Sequence, residues 1–257
     1  MNIVVIIRQT PDTESKIKLS TELDKIDTTG ITWIINPYDE FTIEKALKIK
    51  EKIGQGEVIL LACGSPRTEE AIRQGLAMGA DRAVFIKDDS LEYADPYVIS
   101  KLLASELKKI QFDLVLSGKK VIDFESGQIP IFVAEELGLP HVSFVMKIVD
   151  VDHEKKIIVC DRESEGAHEI IELKLPALIT CDRGEDIPRY ASITGIMKAK
   201  KKEIKIVPKD ESLKEGRTQV VSLELPPSRK DAKIFEGEVP EKVAGLVKAL
   251  REEAKVI

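Results

Sequence analysis

VILLACGSPRTEEAIRQGLAMG, residues Val58 to Gly79, sets out the fold in one unit. Val58 to Ala62 is continuously apolar, the mark of a strand covered on both faces, as in a parallel sheet. Cys63-Gly64-Ser65-Pro66 reads as a turn, and a helix from about Arg67 to Met78 stops at Gly79, a common helix-ending residue. The same unit recurs on both sides of it. Ile3 to Ile7 is a buried strand ending in the loop Arg8 to Asp12. A shorter strand near 32–35 stops at Asn36-Pro37, and Asp39 can cap a helix with apolar positions Ile43, Ala46, Leu47 and Ile53. Downstream come strand 83–86, helix 96–109, strand 114–117 and a helix from Ser126 to Leu137 closed by Gly138. Strands alternating with helices predict a mostly parallel α/β sheet with helices on both faces.

The rhythm changes at Ser143. Strand-like segments 143–151, 156–161 and 168–173, separated by polar turns, predict an antiparallel meander at one sheet edge, and Ala177 to Thr180 returns to the buried pattern. Beyond residue 200 the composition turns to charge and no strong strand is expected. A final helix near 240–253 carries Val243, Leu246, Val247 and Leu250 on one face, which predicts a packed arm. The expected organisation is an α/β nucleotide-binding domain over 1–185, then a docking loop and arm over 186–257.

Bulk composition removes several function classes. With 39 basic against 45 acidic residues and a pI near 5.4, a binder of nucleic-acid backbones is disfavoured. Aromatic content of 5% gives little surface for stacking bases. Cys63, Cys160 and Cys181 stand far apart without C-x-x-C spacing, so zinc, a dithiol pair and a disulfide framework are not expected, and a reducing cytoplasm fits. No apolar run approaches the roughly 20 residues of a membrane span, and the chain begins on a strand instead of a leader. His141, His153 and His168 fall in or beside the meander as ordinary surface positions.

In such a sheet, ligands bind beyond the carboxyl ends of the strands. Three loops should share that edge: 7–12, 63–66 and 118–128. None carries a Walker A or G-x-G-x-x-G pattern, so neither ATP hydrolysis nor nicotinamide binding has a motif behind it. In the third loop Gly118 allows close backbone approach, Ser126 can cap the next helix, and free N–H groups at that helix start suit a phosphate. An adenosine phosphate fits this pattern. A second candidate surface is DRGEDIPRYASITGIMKAKKKEI, Asp182 to Ile204, where Ile193, Ile196 and Met197 give separated apolar points before Lys198, Lys200, Lys201 and Lys202. Lysines alone would read as a solvated face; the apolar points make it a docking surface.

Both segments resemble those of electron transfer flavoprotein β subunits. Asp182, Pro188, Arg189, Tyr190, Ile196, Met197, Lys198, Ala199 and Lys200 to Lys202 follow the family's D-x-x-x-N-x-P-R-Y-x-x-x-x-x-I-M-K-A-K-K-K; Gly118, Lys119, Ile122, Asp123 and Gln128 follow its G-K-Q-x-I-D pattern and the Gln beyond. Asn36-Pro37, Cys63-Gly64, Leu76 to Asp81 and Leu175-Pro176-Ala177 extend the likeness over nearly the whole chain. It implies a Rossmann-like sheet of the adenine nucleotide α-hydrolase type. It also implies a non-enzymatic electron-carrier subunit, partnered by an α subunit that holds most of the redox FAD. AMP would be held here by Asn36, Cys63, Asp123, Ser126 and Gln128, with Ile6, Gly118, Gly127 and Ile129 completing the site. Arg189, Tyr190, Ile193, Ile196, Met197 and Lys198 would dock an acyl-CoA or related dehydrogenase, with Ile193 the anchor and a quinone oxidoreductase the acceptor. Glu163 would face the α subunit.

The sequence departs from the family at Lys120, Phe124, Gly127, Ile129, Asp186 and Ile187. Gln9-Thr10-Pro11-Asp12-Thr13 resembles the Q-x-P-D-T of bifurcating members, in which a second FAD replaces AMP. Phe124 and Pro226-Pro227-Ser228-Arg229 look like the AMP type instead. Rivals of other classes are a free-standing adenine-nucleotide sensor, which would need a phosphate loop absent here, and a purely structural module without nucleotide.

Overall fold

A computed structural model describes residues 1–21, 25–213, 215–227 and 232–257; Ser228 and Arg229 of the motif above lie outside them. The strands are β1 (Ile3–Ile7), β2 (Gln9–Pro11), β3 (Lys18–Leu19), β4 (Ile26–Asp27), β5 (Trp33–Ile35), β6 (Val58–Gly64), β7 (Arg82–Lys87), β8 (Leu114–Gly118), β9 (His141–Asp152), β10 (Ile157–Ser164), β11 (Ala167–Lys174), β12 (Ala177–Cys181) and β13 (Ile204–Val207). The helices are α1 (Pro37–Ile53), α2 (Thr68–Met78), α3 (Pro96–Leu107), α4 (Gln128–Leu137), α5 (Ile193–Ala199) and α6 (Val239–Lys248).

Nine of these strands form one sheet in the order β11-β10-β9-β12-β8-β1-β6-β7-β13. From β9 through β12 to β13 all neighbours are parallel, while β9, β10 and β11 make the expected antiparallel meander. The alternation of side chains along β1 divides the core. Ile3, Val5 and Ile7 join α1 and α2 residues such as Ile43, Leu47 and Ile72, while Val4 and Ile6 join Ile99, Leu102 and Val133 of α3 and α4 on the other face. Gly75 brings α2 close in: a Cβ there would come within 2.7 Å of Leu60 and 3.0 Å of Ile43.

The chain leaves β1 through α1 to β6 and through α2 to β7, then crosses back through α3 to β8 on the other flank of β1. The strand order therefore reverses between β1 and β8, and a crevice for a ligand opens at their carboxyl ends.

Four local expectations need correction. A strand does follow residue 200: Ile204–Val207 pairs with β7 at the sheet edge. A segment this short, with Lys205 inside it and Ile206 exposed, carries too mixed a pattern to read as a strand. Helix α1 starts at Pro37 with Asn36 as its N-cap, so Asp39 is no cap and sits buried in the first turn. Likewise α4 starts after Gly127, and Ser126 Oγ accepts the Gln128 N–H only at 3.5 Å. Finally, the cationic docking stretch contains a helix, α5, begun by Ser192, whose Oγ accepts the Gly195 N–H at 3.0 Å.

The described chain divides into two compact units, Met1–Leu223 and Glu224–Ile257. In the second, Lys233 pairs with Glu253 at 2.6 Å and α6 carries a capping box from Glu238 and Glu241. Within this unit no residue of α6 is buried, and Val243, Leu246 and Val247 stand exposed on it.

Candidate nucleotide and docking sites

At the crevice between β1 and β8, a single carboxyl joins three pieces of chain. Asp39 is 3% exposed; its Oδ2 accepts the Arg8 N–H at 2.8 Å, and its Oδ1 accepts Asn36 Nδ2 at 2.9 Å and the Gly118 N–H at 3.2 Å. The end of β1, the end of β8 and the start of α1 thus meet on one side chain. Gly118 is required here, because a Cβ would run into the Asp39 carboxylate and Tyr38. Burial pushes the Asp39 carboxyl up to about 7, against the pull of its three donors.

The loop after β8 is folded onto itself. Val121 N–H donates to Ser126 O at 2.9 Å, Lys120 pairs with Glu125, and a Cβ on Gly127 would strike Lys119 O. Asn36, fully buried, donates from Nδ2 also to Lys120 O at 3.1 Å, while its Oδ1 has no partner. Between this loop, the strand ends and helices α3 and α4 lies a cavity of about 40 Å³. Ile6, Cys63, Gly118, Ser126, Gly127 and Ile129 of the expected site line it. Asp123 is set to one side, where its Oδ2 accepts Arg8 Nε at 3.1 Å and Nη2 at 2.9 Å. Asn36 lies behind Asp39, and Gln128 opens α4. Burial pushes the Cys63 thiol up to about 12, so it serves as lining and not as a nucleophile.

Sequence reasoning missed Arg8, Asp39, Ile99 and Leu103 in this lining. Arg8 was within reach, being the first residue after a buried strand at the ligand edge. The residues fit an adenosine phosphate in kind. Apolar side chains of Ile6, Ile99, Leu103 and Ile129 can flank a base; in the first turn of α4 Pro130 has no N–H and Gln128 N–H reaches Ser126 Oγ only at 3.5 Å, which leaves the Ile129 N–H without a side-chain cap. A second cleft of about 380 Å³ shares Arg8 with the first and is lined by Gln9, Asp12, Trp33, Arg67, Asp123 and Phe124. Gln9 is buried there with both amide atoms unpartnered, and the Arg67 guanidinium lies 3.5 Å from the Trp33 ring centre.

The segment expected to dock a partner begins next door. Lys119 N–H donates to Cys181 O at 2.8 Å and Lys119 Nζ pairs with Asp182 at 2.6 Å, so the loops after β8 and β12 are joined. Tyr190, Ile193, Ile196 and Met197 are exposed, Ile193 by 81%, and Lys198, Lys200 and Lys201 are exposed beside them. Arg189 and Lys202 behave differently. Arg189 pairs with Glu44 and Glu51 of α1, while Lys202 donates to the carbonyls of Leu76 and Ala80 at the end of α2. Glu163 is exposed on β10, toward the end of the sheet opposite β7 and β13. Among the described residues no acid, His and Cys cluster could hold a metal, and no helix is long and apolar enough to cross a membrane.

Replacing Asp39 by Asn should lower unfolding stability by about 1–3 kcal/mol, because an amide cannot accept from all three donors. A carboxyl with its folded pKa raised favours folding fully below the unfolded value near 3.8 and loses that contribution as pH rises through about 7. The stability gap between wild type and Asp39→Asn should therefore shrink from about pH 5 to about pH 8. Denaturant titrations at both pH values would show it; a gap that widens contradicts the burial described here.

Comparison with known proteins agrees with this architecture. The model of the "Electron transfer flavoprotein domain" matches residues 25–212. The chain is 41% identical to the electron transfer flavoprotein subunit beta of Bacillus subtilis, over the full length of both. It is 34% identical to the mitochondrial subunit beta of Arabidopsis thaliana, again over all of each chain. It is also 35% identical to the caffeyl-CoA reductase-Etf complex subunit CarD of Acetobacterium woodii, covering 98% of both.

Proposed function

The chain belongs to the electron transfer flavoproteins as a β subunit, and on that premise we propose that it is the nucleotide-holding, partner-docking half of a heterodimeric electron shuttle. Its α subunit carries the FAD, which supplies the redox chemistry by taking up electrons and passing them on. This chain holds AMP as a structural ligand, with the base among Ile6, Ile99, Leu103 and Ile129 and the phosphate at the start of α4. The cavity beside Asp39, about 40 Å³, is well below the roughly 300 Å³ of the smallest ordinary ligand sites. Loop 119–127 therefore moves outward as AMP enters. Electrons arrive from an acyl-CoA or related dehydrogenase and leave toward a quinone oxidoreductase. The three unpaired cysteines suit a reducing compartment, and we place the protein in the cytoplasm.

The observation that carries this reading is the docking helix. Large apolar side chains at Tyr190, Ile193 and Met197 stand in water on and beside a short, capped helix with a cationic end. An exposed apolar cluster rimmed by charge marks a protein interface, with the apolar side chains supplying affinity and the lysines raising the association rate with an acidic partner.

A second reading, electron bifurcation with FAD in place of AMP, is favoured by one feature: the adjoining cleft with its unpartnered Gln9 amide offers room for the rest of a dinucleotide. The name of the Acetobacterium relative, a reductase-Etf complex subunit, points the same way. Phe124, lining that cleft 5.4 Å from the Arg8 guanidinium, fills part of it and favours AMP.

Ile193→Ala should raise KM for the donor dehydrogenase about tenfold or more with flavin content unchanged, as expected for an interface anchor. Steady-state electron transfer measures this, and an unchanged KM removes the anchor. Mixing NADH with the purified heterodimer separates the two readings. The shuttle stays oxidised, whereas reduction of its flavin would establish the bifurcating form.

A further inference from the structure

Arg189 sits in the middle of the docking segment, yet its guanidinium is turned into the protein. Nε donates to Glu44 Oε2 at 2.7 Å and Nη2 to Glu44 Oε1 at 3.0 Å; Nη1 and Nη2 donate to the two carboxylate oxygens of Glu51 at 2.7 and 3.2 Å. Four of the five N–H donors of an arginine are thereby engaged within the chain. The Arg189 backbone N–H donates to Glu44 as well, at 3.1 Å. A fork-to-fork pair of this kind fixes direction as well as distance.

Three residues earlier the polarity is reversed. Asp186 accepts from Lys48 at 2.6 Å and lies 3.6 Å from the buried Lys45. Glu44, Lys45, Lys48 and Glu51 fall on neighbouring turns of one side of α1, so the helix offers an acidic grip and a basic grip to the same loop. The segment answers in register: Asp186 and Arg189 point in, while Ile187 and Tyr190 point out, 81% and 95% exposed. Beyond α5 the far end is held too, by Arg73 Nη1 on the carbonyls of Ala199 and Lys202.

We propose that Glu44, assisted by Glu51, is a positioning residue for docking: through Arg189 it mounts the Tyr190–Met197 platform rigidly on α1, so that the platform is presented to the dehydrogenase already ordered. Arg189 consequently acts as the loop's internal anchor, and steering of an acidic partner falls to Lys198, Lys200 and Lys201. This rests on the docking reading above. A platform ordered beforehand loses less conformational entropy when it binds, and an interface loop freed of its mount weakens association while leaving the flavin chemistry untouched.

The test uses the intact heterodimer with an acyl-CoA dehydrogenase of the same organism as electron donor. Four variants are compared: Glu44→Gln, Glu51→Gln, Arg189→Ala and the double change Glu44→Gln with Arg189→Ala. Glu51 is over half exposed on its side chain, so Glu51→Gln keeps the proposal testable if Glu44→Gln folds poorly. Each single change is expected to raise KM for the dehydrogenase about three- to tenfold at constant kcat. Amide hydrogen exchange across 187–199 should accelerate in each, and the double change should be no worse than its worse single parent. A direct partner contact by Arg189 would give the opposite pattern: Arg189→Ala impaired, with Glu44→Gln and Glu51→Gln normal or improved because the guanidinium is released. That pattern, or unchanged exchange in 187–199 in both glutamate variants, overturns the positioning role. If Ile193→Ala were also without effect, the docking reading itself would fall; if Ile193→Ala alone impairs transfer, only the positioning role is lost.

Discussion

A buried carboxyl at the carboxyl edge of the sheet organises this molecule. Asp39 has almost no access to water and satisfies itself with donors from three separate places: the first residue of chain out of β1, the glycine that ends β8, and the asparagine that starts α1. Placing a carboxyl in such a position costs solvation, and the upward displacement of its pKa records that cost. The return is geometric. The two strands flanking the reversal of strand order are held at fixed separation with α1 seated over them, and the cavity that opens beside Asp39 inherits its shape from that junction.

Helix α1 carries the same order away from the crevice. At the α-helical rise per residue it is about 25 Å long, with Asp39 in the first turn and Glu51 in the last. Its first turn meets the loops after β1 and β8 and its second half holds the segment around Asp186 and Arg189, which is also joined to the loop after β8 through Lys119 and Asp182. The two surfaces to which we assign nucleotide binding and docking are therefore built on common supports. A short helix with no buried residue except Ala199 could not hold itself in place; charge pairs to α1 and backbone contacts at the end of α2 hold it instead.

How far the sequence reveals this follows from the range of each interaction. The central strands are legible because a parallel strand covered on both faces must be apolar throughout, as at Ile3–Ile7 and Val58–Ala62. Helix ends at Gly79 and Gly138 are legible for a similarly local reason. The edge strand at Ile204 is not, since an edge tolerates lysine and needs few residues. Among the site residues, Gly118 announces itself as a glycine at the mouth of the ligand-edge loop, where a Cβ would meet Asp39 and Tyr38. Asp39 does not, because a carboxylate in the first turn of a helix is ordinary and only the folded chain brings Arg8 and Gly118 to it. Arg189 is the clearest case: its partner Glu44 is 145 residues away, so the residue looks like a free cation ahead of the lysine run. The partly exposed face of α6 shows the converse, where a clean helical period foretold an amphipathic helix without telling what covers it.

The nucleotide content of the heterodimer tests the account most directly. Purified protein, denatured and resolved by chromatography, should release one AMP and one FAD per heterodimer, in keeping with a mononucleotide beside Asp39 and a flavin on the α subunit. Release of FAD alone, one equivalent with no second adenine nucleotide, would contradict the assignment of the β1–β8 crevice as a nucleotide site.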